Sequence, residues 1–155
     1  MNATGRVIAV CTSTSGGIPR YSVATIELTQ QGIVGDKHRY LEHETNERAV
    51  SLFDVELYDQ LTIDDEPAPP GSVGENITVA GIRLGQLVEG AEVQLGEVIV
   101  RLTRRWAPCY AQHPLTGKTR PNREKLTGWF AMVIQAGEVA AHDMVTLSTN
   151  SSQNH

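Results

Sequence analysis

The chain has 155 residues, a formal net charge of −5, 40% hydrophobic and 20% charged residues, and two cysteines. One domain of this size buries roughly 70% of the surface that its unfolded chain exposes and needs no disulfide staples, and the composition excludes intrinsic disorder. No apolar run approaches the ~18–20 residues of a membrane span, and the first residues lack the basic and apolar stretches of a signal peptide, so a cytoplasmic location is expected.

Val, Ile and Thr make up 38 of the residues and cluster in short runs bounded by Gly, Pro and Asp, which is the pattern of many strands. Strands are expected from Arg6 to Thr12 and from Ala24 to Thr29, the second leading into a turn at Gly32. Gly35-Asp36-Lys37-His38 follows in a turn, where Gly frees φ and Asp bonds its own downstream backbone. Asp36, His38 and His43 form an Asp-x-His…His set, but no fourth ligand is spaced to complete a zinc-type site. A strand is expected from Arg48 to Phe53, after which Asp54 caps a short helix with Leu57, Tyr58 and Leu61 on one face. An acidic, proline-rich loop from Asp64 to Gly71 ends that helix.

The string Pro70-Gly71-Ser72-Val73-Gly74-Glu75-Asn76 comes next. Its two glycines allow close backbone approach, and Glu75 and Asn76 place polar groups at a strand entrance, where a half-buried polar group needs partners. Either they satisfy a neighbouring loop, with Arg48 as a partner, or they orient a polar ligand. Further on, Val93 and Leu95 and then Val98, Val100 and Leu102 alternate around Gly96, predicting an antiparallel hairpin whose face Arg104 continues. Phe130, Met132 and Ile134 alternate again, and the segment from Asp143 to Leu147 is expected to pair with the hairpin. The whole reads as mainly β, a barrel or a curled sheet with one or two short helices.

The charge is segregated. Residues 101–125 carry Arg101, Arg104, Arg105, Lys118, Arg120, Arg123 and Lys125 against Glu124, a net +6 that leaves −11 for the rest. Such a stretch is either a solvated loop or a binding face for a small anionic or phosphorylated ligand. Nucleic acid is disfavoured by the acidic total and by the lack of aromatic residues between Arg120 and Lys125. Thr116-Gly117-Lys118-Thr119 ends like a phosphate-binding loop, but Gln112 stands where that pattern needs glycine, and neither the strand before nor the helix after is expected. Cys109 lies inside the basic stretch, after Pro108 stops the strand that Val98, Val100 and Leu102 build. Arg104, Arg105 and His113 are positioned to stabilise its thiolate, the form that attacks, ligates metal or carries sulfur. Cys11, in an unbroken apolar strand, suits an inert buried thiol.

Taken together, Gly35-Asp36-x-His38, Arg48 with Val50-Ser51-Leu52, Pro70-Gly71-x-x-Gly74-Glu75-Asn76, Gly90 and Gly96, and Pro108-Cys109 resemble the MOSC domain, named for the C-terminal part of molybdenum cofactor sulfurases. The resemblance runs from about residue 5 to 147. It implies one MOSC domain over residues 1–148, built on a barrel like that of pyruvate kinase, with a polar tail at 149–155 that is expected to be disordered. It also implies that Cys109 receives a persulfide sulfur from a pyridoxal-phosphate-dependent cysteine desulfurase and delivers it to a metal–sulfur centre, a sulfurtransferase-like role. In a second branch the matching cysteine ligates molybdenum of the molybdopterin cofactor, and the domain is an oxidoreductase acting on N-hydroxylated compounds. A third alternative is a non-enzymatic module that docks a pterin or a partner. Arg48, Glu75, Asn76, Arg104, Arg105, Asp36 and His38 are the implied pocket residues. Two departures stand out: His43-Glu44-Thr45-Asn46-Glu47-Arg48 replaces His-Gly-Gly before the arginine, and His142-Asp143 replaces Gly-Asp. With no room for a desulfurase domain, pyridoxal phosphate is expected only on a partner.

Overall fold

Alternating valines and leucines turn one face of the expected hairpin inward, and the computed structural model, which describes residues 4–12, 21–34, 49–60, 62–63, 66–106 and 127–147, closes that hairpin into a barrel. The strands are β1 (Thr4–Thr12), β2 (Tyr21–Val23), β3 (Thr25–Thr29), β4 (Gly32–Ile33), β5 (Val50–Asp54), β6 (Thr62–Ile63), β7 (Glu66–Pro67), β8 (Ile77–Ala80), β9 (Glu92–Leu95), β10 (Val98–Trp106), β11 (Gly128–Gln135), β12 (Gly137–Ala140) and β13 (Met144–Leu147). Seven of them close in the order β13-β9-β10-β11-β5-β8-β1, with β1 pairing back to β13 and β2 added beside β1. Val93, Leu95, Val98, Val100 and Leu102 are buried in the barrel as their spacing predicts, and β13 pairs with β9 as expected.

Every barrel pair is antiparallel except β5 and β8. A parallel pair cannot be joined by a tight turn, so the chain must cross over between them. The crossover contains a 3-10 helix at Val55–Gln60, the β6–β7 hairpin and the loop from Gly71 to Asn76. It covers the outer face of β5 with a second apolar cluster of Phe53, Tyr58, Ala68 and Val73, against which Trp106 packs. The Phe53 ring stacks on Trp106 at 5.6 Å and meets Tyr58 edge-on at 5.4 Å. A small sheet, β12-β3-β4, adds Ile26, Leu28, Ile33 and Val139 to the main core. It is fastened to the start of β10, where the Glu138 N–H donates to Glu97 Oε2 at 3.2 Å.

Several expectations need correction. The helix after Asp54 is a 3-10 helix, and the Asp54 carboxylate accepts the N–H of Leu84, 30 residues away, instead of capping that helix. On β11 the core face is Trp129, Ala131 and Val133, while Phe130 and Met132 are half-buried and Ile134 is exposed. Part of the expected acidic loop forms β7, which pairs with β6. His142, standing where the resemblance expects glycine, takes φ 76°, the left-handed conformation that glycine adopts without strain. Among the described residues no helix is long and apolar enough to cross a membrane. The tail at 149–155 lies outside the described residues.

Gly128 is where the chain re-enters the barrel after the basic stretch. A Cβ there would collide with the Leu52 carbonyl and stand 2.8 Å from two ring atoms of Trp106. Gly128→Ala is expected to cost about 1–3 kcal/mol by overpacking, seen as a lower urea midpoint at unchanged m-value. An unchanged midpoint would contradict this packing.

Candidate functional site

Gly71 and Gly74 have φ of 90° and 96°, and these left-handed positions fold the crossover loop back so that Glu75 and Asn76 enter the protein together. Glu75 is 0% exposed and Asn76 1%. The Tyr58 hydroxyl donates to both Glu75 oxygens at 2.8 and 2.7 Å, and Thr78 Oγ1 donates to Oε2 at 2.8 Å. Burial raises the Glu75 pKa in spite of these donors, and burial next to Glu75 raises that of Tyr58. Asn76 Oδ1 accepts the Ser51 N–H at 3.0 Å and the Ser51 hydroxyl at 3.2 Å, while its Nδ2 donates to the Cys11 carbonyl at 3.3 Å. The pair therefore joins β5, β8 and β1 from inside, and its partners are Ser51, Tyr58, Thr78 and Cys11. Neither side chain is open to a ligand. Cys11 is itself 0% exposed.

A second group of contacts is organised by β10. Leu102 opposes Ala131 and Arg104 opposes Phe130, so Thr103 is an extra residue in a β-bulge, its hydroxyl donating to the Phe130 carbonyl at 3.1 Å. The bulge reverses the phase of the strand. Arg104, expected on the face of Leu102, falls on the outer face beside Phe130, and Arg105 takes the inner phase opposite Trp129. The Arg105 guanidinium lies 4.5 Å from the Trp129 ring centroid and donates to the carbonyls of Gly85 at 3.2 Å and Leu87 at 2.9 Å. These carbonyls belong to a second 3-10 turn, Leu84–Gln86, and the residue after it. Trp129 Nε1 donates to the Leu84 carbonyl at 2.8 Å, and Asp54 takes the Leu84 N–H at 3.2 and 3.4 Å. Three strands thus clamp one turn across the barrel end.

Beside the clamp lies a cleft of about 920 Å³, lined among the described residues by Asp54, Glu56, Arg83, Gln86, Arg105 and Thr127, with others. Burial pushes the Asp54 carboxyl from 3.8 up to about 7; the Leu84 N–H pulls it down, Glu56 adds to the rise and Arg83 opposes it. Arg105 and Thr127 stand either side of the 107–126 segment, which carries Cys109. Cys109 stands three positions after Trp106 in the sequence. The basic stretch is less free than its charge suggests. Arg101 pairs with Glu92 at 2.7 Å and Arg105 holds carbonyls, so of the three described bases only Arg104 has no protein partner among the described residues.

Cys109, Arg48, Asp36, His38, His43 and His113 lie outside the described residues. Among the described residues no group of three His, Cys, Asp or Glu is placed to hold a metal ion. Asp54, Arg83 and Trp129 are site residues that the sequence reading missed. Asp54 carried a local signal, but it read as a cap because its partner at 84 lies far along the chain.

The MOSC domain family model matches residues 39–146. A protein named Reductase from Gibberella moniliformis is 25% identical over 126 residues, which are 75% of this chain and 22% of that protein, so this chain spans about a fifth of that relative. The YuaD protein of Bacillus subtilis shares the fold with a TM-score of 0.72 at 16% identity, covering 95% of this chain and 97% of that one. YiiM from Escherichia coli does so with a TM-score of 0.65 at 22% identity, covering 94% and 70%.

Two outcomes follow from this geometry. Asn76→Ala strands the Ser51 N–H and the Cys11 carbonyl inside the protein and is expected to cost roughly 2 kcal/mol or more in chemical denaturation; a loss confined to ligand binding would contradict the structural role. Because the folded-state pKa of Asp54 lies above its unfolded value, the fold holds an extra proton between roughly pH 4 and 7, and stability falls as pH rises through that window. Asp54→Asn is expected to flatten the fall in melting temperature over the same range, with Glu75 contributing what remains. An unaltered slope would refute the assignment.

Proposed function

We propose that this chain, which belongs to the MOSC domain family, carries sulfur on Cys109. The observation behind this reading is the bulge at Thr103, after which β10 stays paired with β11 as far as Trp106 and leaves Arg104 on the outer face, unengaged among the described residues and five positions ahead of a cysteine that follows a proline. A guanidinium within reach of a thiol favours its thiolate. In the proposed step the Cys109 thiolate attacks the terminal sulfur of a persulfide R–S–SH on a pyridoxal-phosphate-dependent desulfurase. The S–S bond of the donor breaks as the new one forms, giving Cys109–S–SH and the thiolate R–S⁻. The sulfane sulfur is transferred without net oxidation, and a nucleophilic acceptor then takes it in the reverse sense.

A second reading, a molybdenum-dependent reductase of N-hydroxylated compounds, draws on the name of the Gibberella relative. The described residues do not fit its pterin phosphate. Glu75 and Asn76 are enclosed by protein partners, Arg105 is engaged by carbonyls, and the cleft sets Asp54 and Glu56 beside Arg83. A dianion would meet two acids there.

Incubation with a cysteine desulfurase and cysteine is expected to add one sulfur atom by intact mass, absent in Cys109→Ala. Arg104→Gln is expected to slow loading several-fold and to shift its pH–rate profile upward. No added sulfur, or addition that survives Cys109→Ala, would overturn the reading, and molybdenum near one per chain after expression in a cofactor-competent host would favour the second.

A further inference from the structure

The cleft at the clamped end carries a charge pattern that the sulfur chemistry does not require. Two acids, Asp54 and Glu56, and two bases, Arg83 and Arg105, line it, with Leu57 and Ile82 supplying apolar wall. Three of the four charged groups are already fixed. Glu56 Oε2 accepts the Gly81 N–H at 2.9 Å, Arg105 holds Gly85 and Leu87, and Asp54 holds Leu84.

Two of these groups have bonding capacity left over. The Asp54 side chain belongs to a residue only 7% exposed, yet in its ionised form, above about pH 7, the carboxylate has about four acceptor sites, and among the described residues it receives a single N–H shared between its oxygens. Arg83 is exposed in extended backbone at the start of the turn; its carbonyl accepts the Gln86 N–H at 3.0 Å, and no hydrogen bond or ion pair engages its guanidinium among the described residues. Arg83 and Asp54 line the same cleft, and the Arg83 charge opposes the rise of the Asp54 pKa. A simple anion here would meet Asp54 and Glu56, and a simple cation would meet Arg83 and Arg105. A small molecule with an ammonium and a carboxylate a few ångströms apart satisfies both sides, and the fixed wall lowers the ordering cost of binding it.

We propose that this cleft binds a zwitterionic α-amino acid, its ammonium on Asp54 and its carboxylate on Arg83, with the side chain along Leu57 and Ile82. Resting on the sulfur-carrier reading, the proposal extends to the exchange partner: an amino-acid thiol, whose thiolate takes the terminal sulfur of Cys109–S–SH and leaves the Cys109 thiolate, or whose persulfide loads it by the reverse step.

Binding is tested apart from the chemistry by titrating Cys109→Ala protein calorimetrically with S-methyl-L-cysteine, with 3-(methylthio)propionate, which lacks the ammonium, and with S-methylcysteamine, which lacks the carboxylate. The amino acid is expected to bind at least tenfold more tightly than either analogue. Arg83→Gln, at an exposed position, is expected to erase the advantage over S-methylcysteamine, and Asp54→Asn the advantage over the propionate. Equal affinities, no binding, or a preference that Arg83→Gln leaves intact would overturn the proposal. In exchange assays on persulfide-loaded protein, L-cysteine is expected to outpace cysteamine and 3-mercaptopropionate several-fold. If Cys109 takes no sulfur while the amino-acid preference holds, the sulfur-carrier reading fails and the binding site stands. If sulfur loads but the three thiols exchange alike, the extension to the exchange partner fails alone.

Discussion

Thr103 adds one residue to β10 that β11 does not match, and its hydroxyl closes the gap on the Phe130 carbonyl. Without that bulge Arg104 would follow Leu102 into the barrel, and Arg105 would point to solvent. With it, Arg105 lies over Trp129 and reaches the carbonyls of the Leu84–Gln86 turn. The turn in turn fixes the Leu84 N–H on Asp54, and with it one wall of the cleft. A bulge of this kind re-aims side chains at the rim of a barrel, and here it separates two adjacent arginines into one that holds backbone carbonyls and one that has no partner among the described residues.

The junction of β5 and β8 depends on a different device. The parallel β5–β8 pair forces a long crossover, and such a connection leaves polar backbone to be satisfied inside the protein. Asn76 does this for Ser51 and Cys11, and Glu75 ties the start of β8 to Tyr58 on the crossover. A buried carboxyl that accepts several hydrogen bonds still resists ionisation when burial outweighs them. Its reward is a rigid joint between strands that are distant in sequence.

Both groups hold a carboxyl whose pKa is raised by burial, but the two differ in what surrounds them. Glu75 is enclosed by hydroxyl and backbone donors, whereas Asp54 lines an open cleft with Arg83 and receives a single N–H among the described residues. The first arrangement is complete without a ligand. The second leaves acceptor capacity facing a space of molecular size, which is also lined by Arg83, whose guanidinium has no partner among the described residues.

The sequence by itself determined the barrel's hairpin, because period-two burial of Val93, Leu95, Val98, Val100 and Leu102 is a local property of a strand. It determined the family as well, through the Gly71-to-Asn76 string and Pro108-Cys109, and it separated the buried cysteine from the one in the basic stretch. The tertiary structure alone decided which face of β11 is core, where Arg104 and Arg105 point, and what Asp54, Glu75 and Asn76 contact. The reason is physical: a bulge is defined by mismatch with a partner strand, and a buried carboxyl finds its donors across the fold, so neither is written in the residues next to it. Asp54 looked like a helix cap for want of Leu84, and Glu75 and Asn76 stayed open between supporting a neighbouring loop and holding a ligand until Tyr58 and Ser51 stood beside them.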